Sequence, residues 1–382
     1  MKSAARINVV HVTQFLEIGG LESFIVEFCK LMDRDAFDVS VLCLNGYDEQ
    51  YKAMLERQGV PVALMTKNGK YDWRFFGRVA AVLKAQKTDI LHAHGGCFLY
   101  SAIIASLCGA RMIYTAHGLP ITSGVKATVE DVLALAFTDR FVAVSAEVAD
   151  NFKRRTRLCG DRVQVIINGI DEGKFLPCTD SGQLAAWKRQ FGLPEGRVMI
   201  GSVGRLEPVK NYPLLLRAFA EVVHGYGHDA HLVLVGSGSD EAALRRLAGE
   251  LSIDSRVSFL GIQYDLPKIY PLFDIFALSS LTEGTSIALL EAQSCGVPAV
   301  VTDVGGNSTI IRDGENGYLC PSGDQAALAE RLNRLINTPG ELARMRPAAR
   351  AVVLDRFTMA SVIQQYQEIY CSFTGRIAPV GG

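Results

Sequence analysis

The sequence has no apolar run near the ~20 residues that a membrane-spanning helix requires, so the expectation is a soluble chain, at most peripheral to a membrane. Its opening, Met1 to Val12, holds only a short apolar stretch that reads as a first strand and not as a signal peptide. Paired cysteines are missing too. The nine cysteines are odd in number and form no Cys-x-x-Cys pair, which speaks against a disulfide framework and a zinc knuckle and fits a reducing cytosol. There is no charge of one sign in excess: 39 basic against 40 acidic side chains leave a net charge of −1, so the whole-molecule field gives nucleic acid no reason to bind. One basic cluster, Lys153-Arg154-Arg155-Thr156-Arg157, stands out locally. Its ordinary explanation is a helix C-terminus that favours cations, and peripheral membrane contact stays open. Internal repeats and low-complexity tracts are absent as well.

What the chain does have is core. Hydrophobic residues make up 49% and charged residues 21% of 382 positions, enough for two large domains. Strand-like apolar runs alternate with amphipathic stretches of helix length, the pattern of parallel sheets covered by helices on both faces. Strands are expected at 7–13, 37–44, 62–65, 89–93, 112–115, 140–144 and 163–167, and again at 198–203, 231–235, 257–260, 275–278 and 299–302. Prolines 177 and 194 and glycines 173, 182, 192 and 196 interrupt this rhythm between Asp171 and Arg197 and mark a junction. The expected organisation is an α/β chain of two doubly wound, Rossmann-like domains, 1–180 and 181–356. A helix over 357–374 and a disordered tail over 375–382 follow.

Two segments carry the strongest chemical signal. In Ser279 to Ala292 a strand gives way to a polar loop holding Glu283 and Gly284, and a helix opens at Thr285 or Ser286, both good N-cap types. Backbone N–H groups at such an opening bind anions. Glu291 follows Glu283 by eight residues, about 12 Å if both lay on the helix, a span that suits a sugar at one end and a ribose at the other. A cap and a surface charge would explain the two acids as well. The second segment runs from Gly201 to Pro213. It turns through Gly204, and Arg205 and Lys210 can converge on one anion if the loop folds back. Two solvated loop cations are the plain alternative.

Weaker signals sit at other strand ends. Gly19-Gly20 lies between the first strand and first helix, where glycines let backbone reach a phosphate or merely make a tight turn. Gly236 belongs to a similar turn, Val235-Gly236-Ser237-Gly238, but Glu241 stands where a dinucleotide fingerprint wants its third glycine, which weakens an NAD site. His117 closes Tyr114-Thr115-Ala116-His117 at a strand's carboxyl end, fit either to meet a substrate hydroxyl or to fix its own loop. His92 and His94 share a strand face, yet the sequence offers no third ligand, so no metal is assigned.

Taken in order, these segments resemble the family 4 retaining glycosyltransferases of the GT-B fold over nearly the whole chain. The most specific match is Glu283-x7-Glu291 preceded by Gly204-Arg205-Leu206-x-x-x-Lys210-Asn211. Thr115-Ala116-His117-Gly118, Val142-Ala143-Val144-Ser145, Ile167-Asn168-Gly169-Ile170-Asp171 and Val235-Gly236-Ser237-Gly238 support it. The resemblance implies a nucleotide-diphosphate sugar as donor, a UDP-sugar first, and a glycan or lipid-linked acceptor, with no metal and no other cofactor. It implies that Arg205 and Lys210 hold the diphosphate, that Glu283 with Gly284, Thr285 and Ser286 meets the sugar, and that Glu291 meets the ribose. Gly19, Gly20, Gly204 and Gly236 would admit the phosphates, and His117 would face the transferred sugar. Arg205, Lys210, Glu283 and His117 are thus the expected catalytic group. The terminal helix would cross back to the first domain, with Met359 where an aromatic residue is frequent.

Two rivals are a sugar-nucleotide epimerase on the same plan, which needs no acceptor, and an NAD-dependent oxidoreductase. Acceptor contacts are expected from Asn45 to Glu49, Thr66 to Asp72 and Leu119 to Val129. Oligomeric state is not written in the sequence.

Overall fold

The computed structural model describes residues 6–17, 19–69, 72–119, 125–157 and 162–375. They form two compact units: residues 1–168 with 359–382, and residues 169–358.

Unit 1 is built on seven parallel strands, β1 (Ile7–Leu16), β2 (Phe37–Tyr47), β3 (Val62–Leu64), β4 (Ile90–His94), β5 (Arg111–Ala116), β6 (Arg140–Ala143) and β7 (Val163–Val165). Their order is β3-β2-β1-β4-β5-β6-β7. Unit 2 holds six, β8 (Val198–Val203), β9 (Ala230–Val235), β10 (Val257–Phe259), β11 (Ile275–Leu278), β12 (Ala299–Thr302) and β13 (Gly317–Cys320), in the order β10-β9-β8-β11-β12-β13. Each sheet therefore starts in its middle and winds outward in both directions, the doubly wound arrangement with two helical layers. Both faces of the sheets are covered, which is why the strands read as near-continuous apolar runs. All of β9, β11 and β12 is buried. Each enclosed Val, Leu or Ile there contributes about 1.5–3 kcal/mol.

Twelve strands fall where the sequence placed them; β13 was missed. It is four residues long and begins with a glycine, whose missing Cβ lets it lie against the backbone of Ala299. β2 also runs on to Tyr47, so Asn45–Tyr47 are strand and not loop.

The expected boundary at 180 moves to 168/169. Ile170 N–H donates to the Phe357 carbonyl at 3.0 Å, and Arg350 donates to the carbonyls of Phe175 and Ser294 at 2.9 and 2.6 Å, which ties the segment after 168 into unit 2. The last helix, Met359–Thr374, belongs to unit 1 and buries Val362, Ile363, Tyr366, Ile369 and Tyr370. Phe28 of the helix Gly20–Leu31 meets Tyr366 edge to face at 5.3 Å. Met359 is 1% exposed, so the non-aromatic residue packs without loss of burial. Of the expected tail, all but Gly375 lies outside the described residues, as do parts of the loops 66–72 and 119–129.

The basic cluster takes its ordinary place. Lys153, Arg154 and Arg155 form the last turn of the helix Ala146–Thr156, and Arg155 pairs with Asp131 at 2.6 Å. The eight described cysteines are all free thiols.

Candidate active site

Strand order reverses between β8 and β11 in unit 2 and between β1 and β4 in unit 1. Open α/β sheets receive ligands beyond the carboxyl ends of the strands at such points; of the residues singled out above, Lys210 follows β8, Glu283 follows β11 and Gly19–Gly20 follow β1.

In unit 2 the loop after β8 is sewn along the end of β9: Gly204 N–H donates to Val235, Leu206 N–H to Ser237 and Asp240 N–H to Leu206, at 2.8–2.9 Å. Gly236 makes this possible. Its φ of +128° is open to glycine, and a Cβ there would run into the Gly204 carbonyl. The glycine pattern at 204 and 236 is thus accounted for by backbone packed on backbone, whatever ligand the loop meets.

A single 3-10 turn, Pro208–Lys210, carries Lys210 to the site, and Asn211 in the left-handed region (φ +48°) turns the chain into the helix Tyr212–Ala220. From the neighbouring strand, β11, Ser279 Oγ sits 2.9 Å from the carbonyls of both Lys210 and Asn211 and fixes that turn. Lys210 Nζ then lies 2.6 Å from Glu283 Oε1, which also accepts from Ser280 Oγ at 2.6 Å. The side chains are 20% and 9% exposed. Against the backbone of that loop, Gly305 (φ +57°) packs directly under the Glu283 backbone carbonyl, and Gly306 N–H donates to Gly284 O at 2.7 Å.

Two expectations need correction, and one residue is engaged locally. Arg205 is exposed and pairs with Glu207 at 3.1 Å, two residues along the chain. The helix spans Ile287–Ser294 with Ser286 as its N-cap, its Oγ accepting from Leu289 N–H, so Glu283 precedes it in the loop and the 12 Å helical span does not apply. Glu291 is no surface charge either. It is 6% exposed and accepts from Tyr270 Oη at 2.6 Å. Burial first, then the Glu291 charge, push the Tyr270 phenol well above its usual range and keep it a donor.

In unit 1 the histidines form a network that the sequence did not disclose. His92 and His94 gain His11 on the adjacent strand β1, the ligand atoms of all three lying within 4.8 Å of one another. Both ring nitrogens of His92 are engaged, Nδ1 by Tyr370 Oη at 2.6 Å and Nε2 by Thr115 Oγ1 at 2.8 Å. Both of His94 are engaged as well: Nε2 meets His11 Nδ1 at 2.9 Å and Nδ1 meets His117 Nε2 at 3.0 Å. His11 Nε2 and His117 Nδ1, the two ends, have no hydrogen-bond partner among the described residues. Burial holds His11 and His117 down to about 3 and lowers His92 and His94 well below the usual imidazole value, so the rings are neutral near pH 7.

Neutral imidazoles each carry one N–H, and two consecutive N–H···N bonds then fix a single direction along His117, His94 and His11. If His117 carries its proton on Nδ1, all three rings do; if on Nε2, all three do. The tautomers of His117 and His11 are therefore coupled through His94.

Gly20 opens the helix Gly20–Leu31 and Gly19 caps it with an ordinary extended φ of −175°, which any residue adopts. Neither shows the backbone strain that only glycine relieves. Ser280, Tyr270, Gly305 and His11 are the site residues that sequence reasoning missed. Ser280 lay inside the quoted segment and Gly305 inside a Gly-Gly pair, but Tyr270 and His11 reach the site through pairing of distant elements.

The two doubly wound units define the class as GT-B glycosyltransferase. Residues 185–352 match the family model for glycosyl transferases group 1, and residues 18–174 that for glycosyltransferase family 4. The D-inositol 3-phosphate glycosyltransferase of Nocardia farcinica is 30% identical over 77% of this chain and 69% of its own. The UDP-Gal:alpha-D-GlcNAc-diphosphoundecaprenol alpha-1,3-galactosyltransferase of Escherichia coli is 26% identical over 97% and 98%. The chain belongs to the family 4 glycosyltransferases. Its fold is that of Anabaena Alr3699/HepE solved with UDP-glucose, at a TM-score of 0.84, 23% identity and coverage of 96% and 100%. Neither the epimerase nor the oxidoreductase reading is favoured by these likenesses.

Proposed function

We propose that the protein transfers a sugar from a nucleotide-diphosphate donor, a UDP-sugar first, to a hydroxyl of a glycan or lipid-linked acceptor, with retention and without a metal. The observation that carries this reading is the Lys210–Glu283 pair at the switch point of unit 2. An ammonium and a carboxylate held together at a strand end can be parted by a ligand that offers each a better partner: a diphosphate oxygen for Lys210, sugar hydroxyls for Glu283. UDP and UDP-glucose, bound by Anabaena Alr3699/HepE, have this combination of groups, or part of it.

In this reading Lys210 and Arg205, the latter leaving Glu207, stabilise the charge that grows on the departing diphosphate. The opening of the helix Ile287–Ser294, with Gly284, Thr285 and Ser286, adds backbone dipoles. Glu283 orients the sugar and Glu291, held by Tyr270, receives the ribose. The leaving phosphate oxygen takes the proton of the acceptor hydroxyl as it attacks the same face of the sugar, so the C–O bond to phosphate breaks while the new one forms and configuration is kept. Gly19, Gly20, Gly204 and Gly236 keep the backbone near the phosphates uncluttered. In unit 1, His117 is assigned to a hydroxyl of the transferred sugar.

Thermal unfolding with UDP, GDP, ADP and NAD added separately tests the donor reading. A ligand at ~100 times its Kd adds about 2.7 kcal/mol. A shift with UDP that disappears in Lys210→Ala supports the site; a shift with NAD alone, or one indifferent to Lys210→Ala, refutes it.

A further inference from the structure

Lys67 lies beyond β3, in unit 1, at a place where the sheet is locally opened. β1 and β2 pair in register up to Thr13 opposite Cys43 and resume with Phe15 opposite Gly46, so Gln14 alone faces both Leu44 and Asn45. Those three residues, with Lys67, Phe75 and Tyr100, line a cavity of about 190 Å³. Bulges of this kind interrupt the ladder and re-aim side chains, and they recur beside active sites.

The chemistry of the cavity is one-sided. Lys67 Nζ rests 3.6 Å from the centroid of the Tyr100 ring, with Phe75 and Phe76 at 5.8 and 5.6 Å. Among the described residues no carboxylate pairs with it. The nearest acid along the chain, Asp72, is taken: Arg78 binds it at 2.8 Å and Asn68 N–H donates to it at 2.9 Å. Gln14 is anchored through its amide to Gly96 O at 2.8 Å, which holds that wall in place. An aromatic face steadies an ammonium without neutralising it.

We propose that this cavity is the acceptor subsite for an oxyanion, a phosphate or carboxylate carried by the molecule that receives the sugar, with Lys67 as its charge partner and Asn45 as its polar neighbour. The assignment deepens the transferase reading and rests on it for the word acceptor; the anion site itself stands on the cavity alone.

The test is calorimetric titration of the full chain with inorganic phosphate, acetate and glycerol 1-phosphate, each with UDP already present, and with UDP by itself. Lys67→Met, which keeps the apolar stem, is expected to weaken phosphate or acetate at least tenfold, and Lys67→Arg to retain them. UDP binding should be unchanged in both. In Lys210→Ala the pattern should reverse, with UDP lost and the oxyanion kept. Equal oxyanion affinity in the parent and Lys67→Met, or no oxyanion binding in either, overturns the proposal. Oxyanion binding lost with Lys67→Met in a chain that binds no UDP would uphold the cavity and sink the donor reading instead. Sedimentation with phosphatidylcholine vesicles containing phosphatidic acid, abolished by Lys67→Met, would mark the anion as a lipid headgroup; binding of glycerol 1-phosphate without sedimentation would mark it as soluble.

Discussion

Lys210 and Glu283 stand 73 residues apart in sequence and 2.6 Å apart in space, each delivered by a strand end of the same sheet. Because the carboxylate is 9% exposed, removing its partner leaves a charge with little water to solvate it. Lys210→Ala is expected to cost about 1–3 kcal/mol of stability and to slow sugar transfer by about 100-fold or more. A double-mutant cycle with Glu283→Gln should show a coupling of about 0.5–3 kcal/mol. Additive losses in both denaturation and steady-state kinetics would mean that the pair does not act as one unit.

Glu291 and Tyr270 make a second pair whose work is assigned to the ribose. Tyr270→Phe removes the hydroxyl that donates to Glu291 at 2.6 Å but leaves the ring in the core. Parent protein should bind UDP at least tenfold better than 2′-deoxy-UDP, and Glu291→Gln should shrink that ratio toward one, because a polar group built to meet a hydroxyl is left unpaired without it. Competition titrations of the two nucleotides would show it. An unchanged ratio in Glu291→Gln removes Glu291 from the ribose.

The four buried imidazoles give the protein an acid limit. Their folded values lie far below the ~6.5 of an unfolded imidazole. Below pH 6.5 the unfolded chain therefore binds protons that the folded chain refuses, so stability falls as pH falls, for His11 and His117 until their folded values of about 3 are reached. Each of these two rings contributes about 1.4 kcal/mol per pH unit in that window, and His92 and His94 act in the same direction. Urea midpoints from pH 7 to pH 4 should drop steeply in the parent and less steeply in His92→Gln. A flat profile over that range would contradict the burial of these rings.

The direction of the imidazole chain can be reset from its middle. Asn at 94 can imitate Nδ1 and reach His117, whereas Gln imitates Nε2 and reaches His11. Nitrogen-15 shifts of His117 should therefore change more in His94→Gln than in His94→Asn, and transfer should slow more in the former, by about tenfold or more. Identical shifts in both variants would show that His117 does not take its tautomer from His94.

Gly305→Ala tests the backbone support of Glu283. The left-handed φ of +57° alone costs an alanine about 1 kcal/mol, and the added methyl would press on the Glu283 carbonyl. Loss of about 1–3 kcal/mol by chemical denaturation, with weaker UDP binding, is expected. UDP affinity equal to the parent's would mean that Glu283 tolerates displacement.

Much of this was legible beforehand because parallel strands buried on both faces leave unmistakable apolar runs, and twelve of the thirteen strands announced themselves that way. The strand-end positions of Lys210, Glu283 and His117 followed directly. What stayed hidden depended on register between distant segments. No local pattern shows that His11 lies opposite His92 across β1 and β4, or that Tyr270 reaches Glu291. The Arg205–Glu207 pair was not foreseen either, because spacing alone does not rank partners. The boundary near 168 was blurred by the cluster of prolines and glycines that follows it, which marks irregular backbone within unit 2 and not the seam.

Unit 1 is discontinuous: Tyr370, which binds His92, and Tyr366, which binds Thr115, are made only after all of unit 2 has been synthesised. At about 5–20 residues per second, the ribosome finishes residues 169–358 while the first sheet still lacks the helix that covers His92 and Thr115. Unit 2 can thus reach its native state as an uninterrupted stretch, and the histidine network becomes sealed only at the end. A chain cut short before 359 would leave polar atoms of the first sheet open to water, an abortive product marked by its own unfinished core.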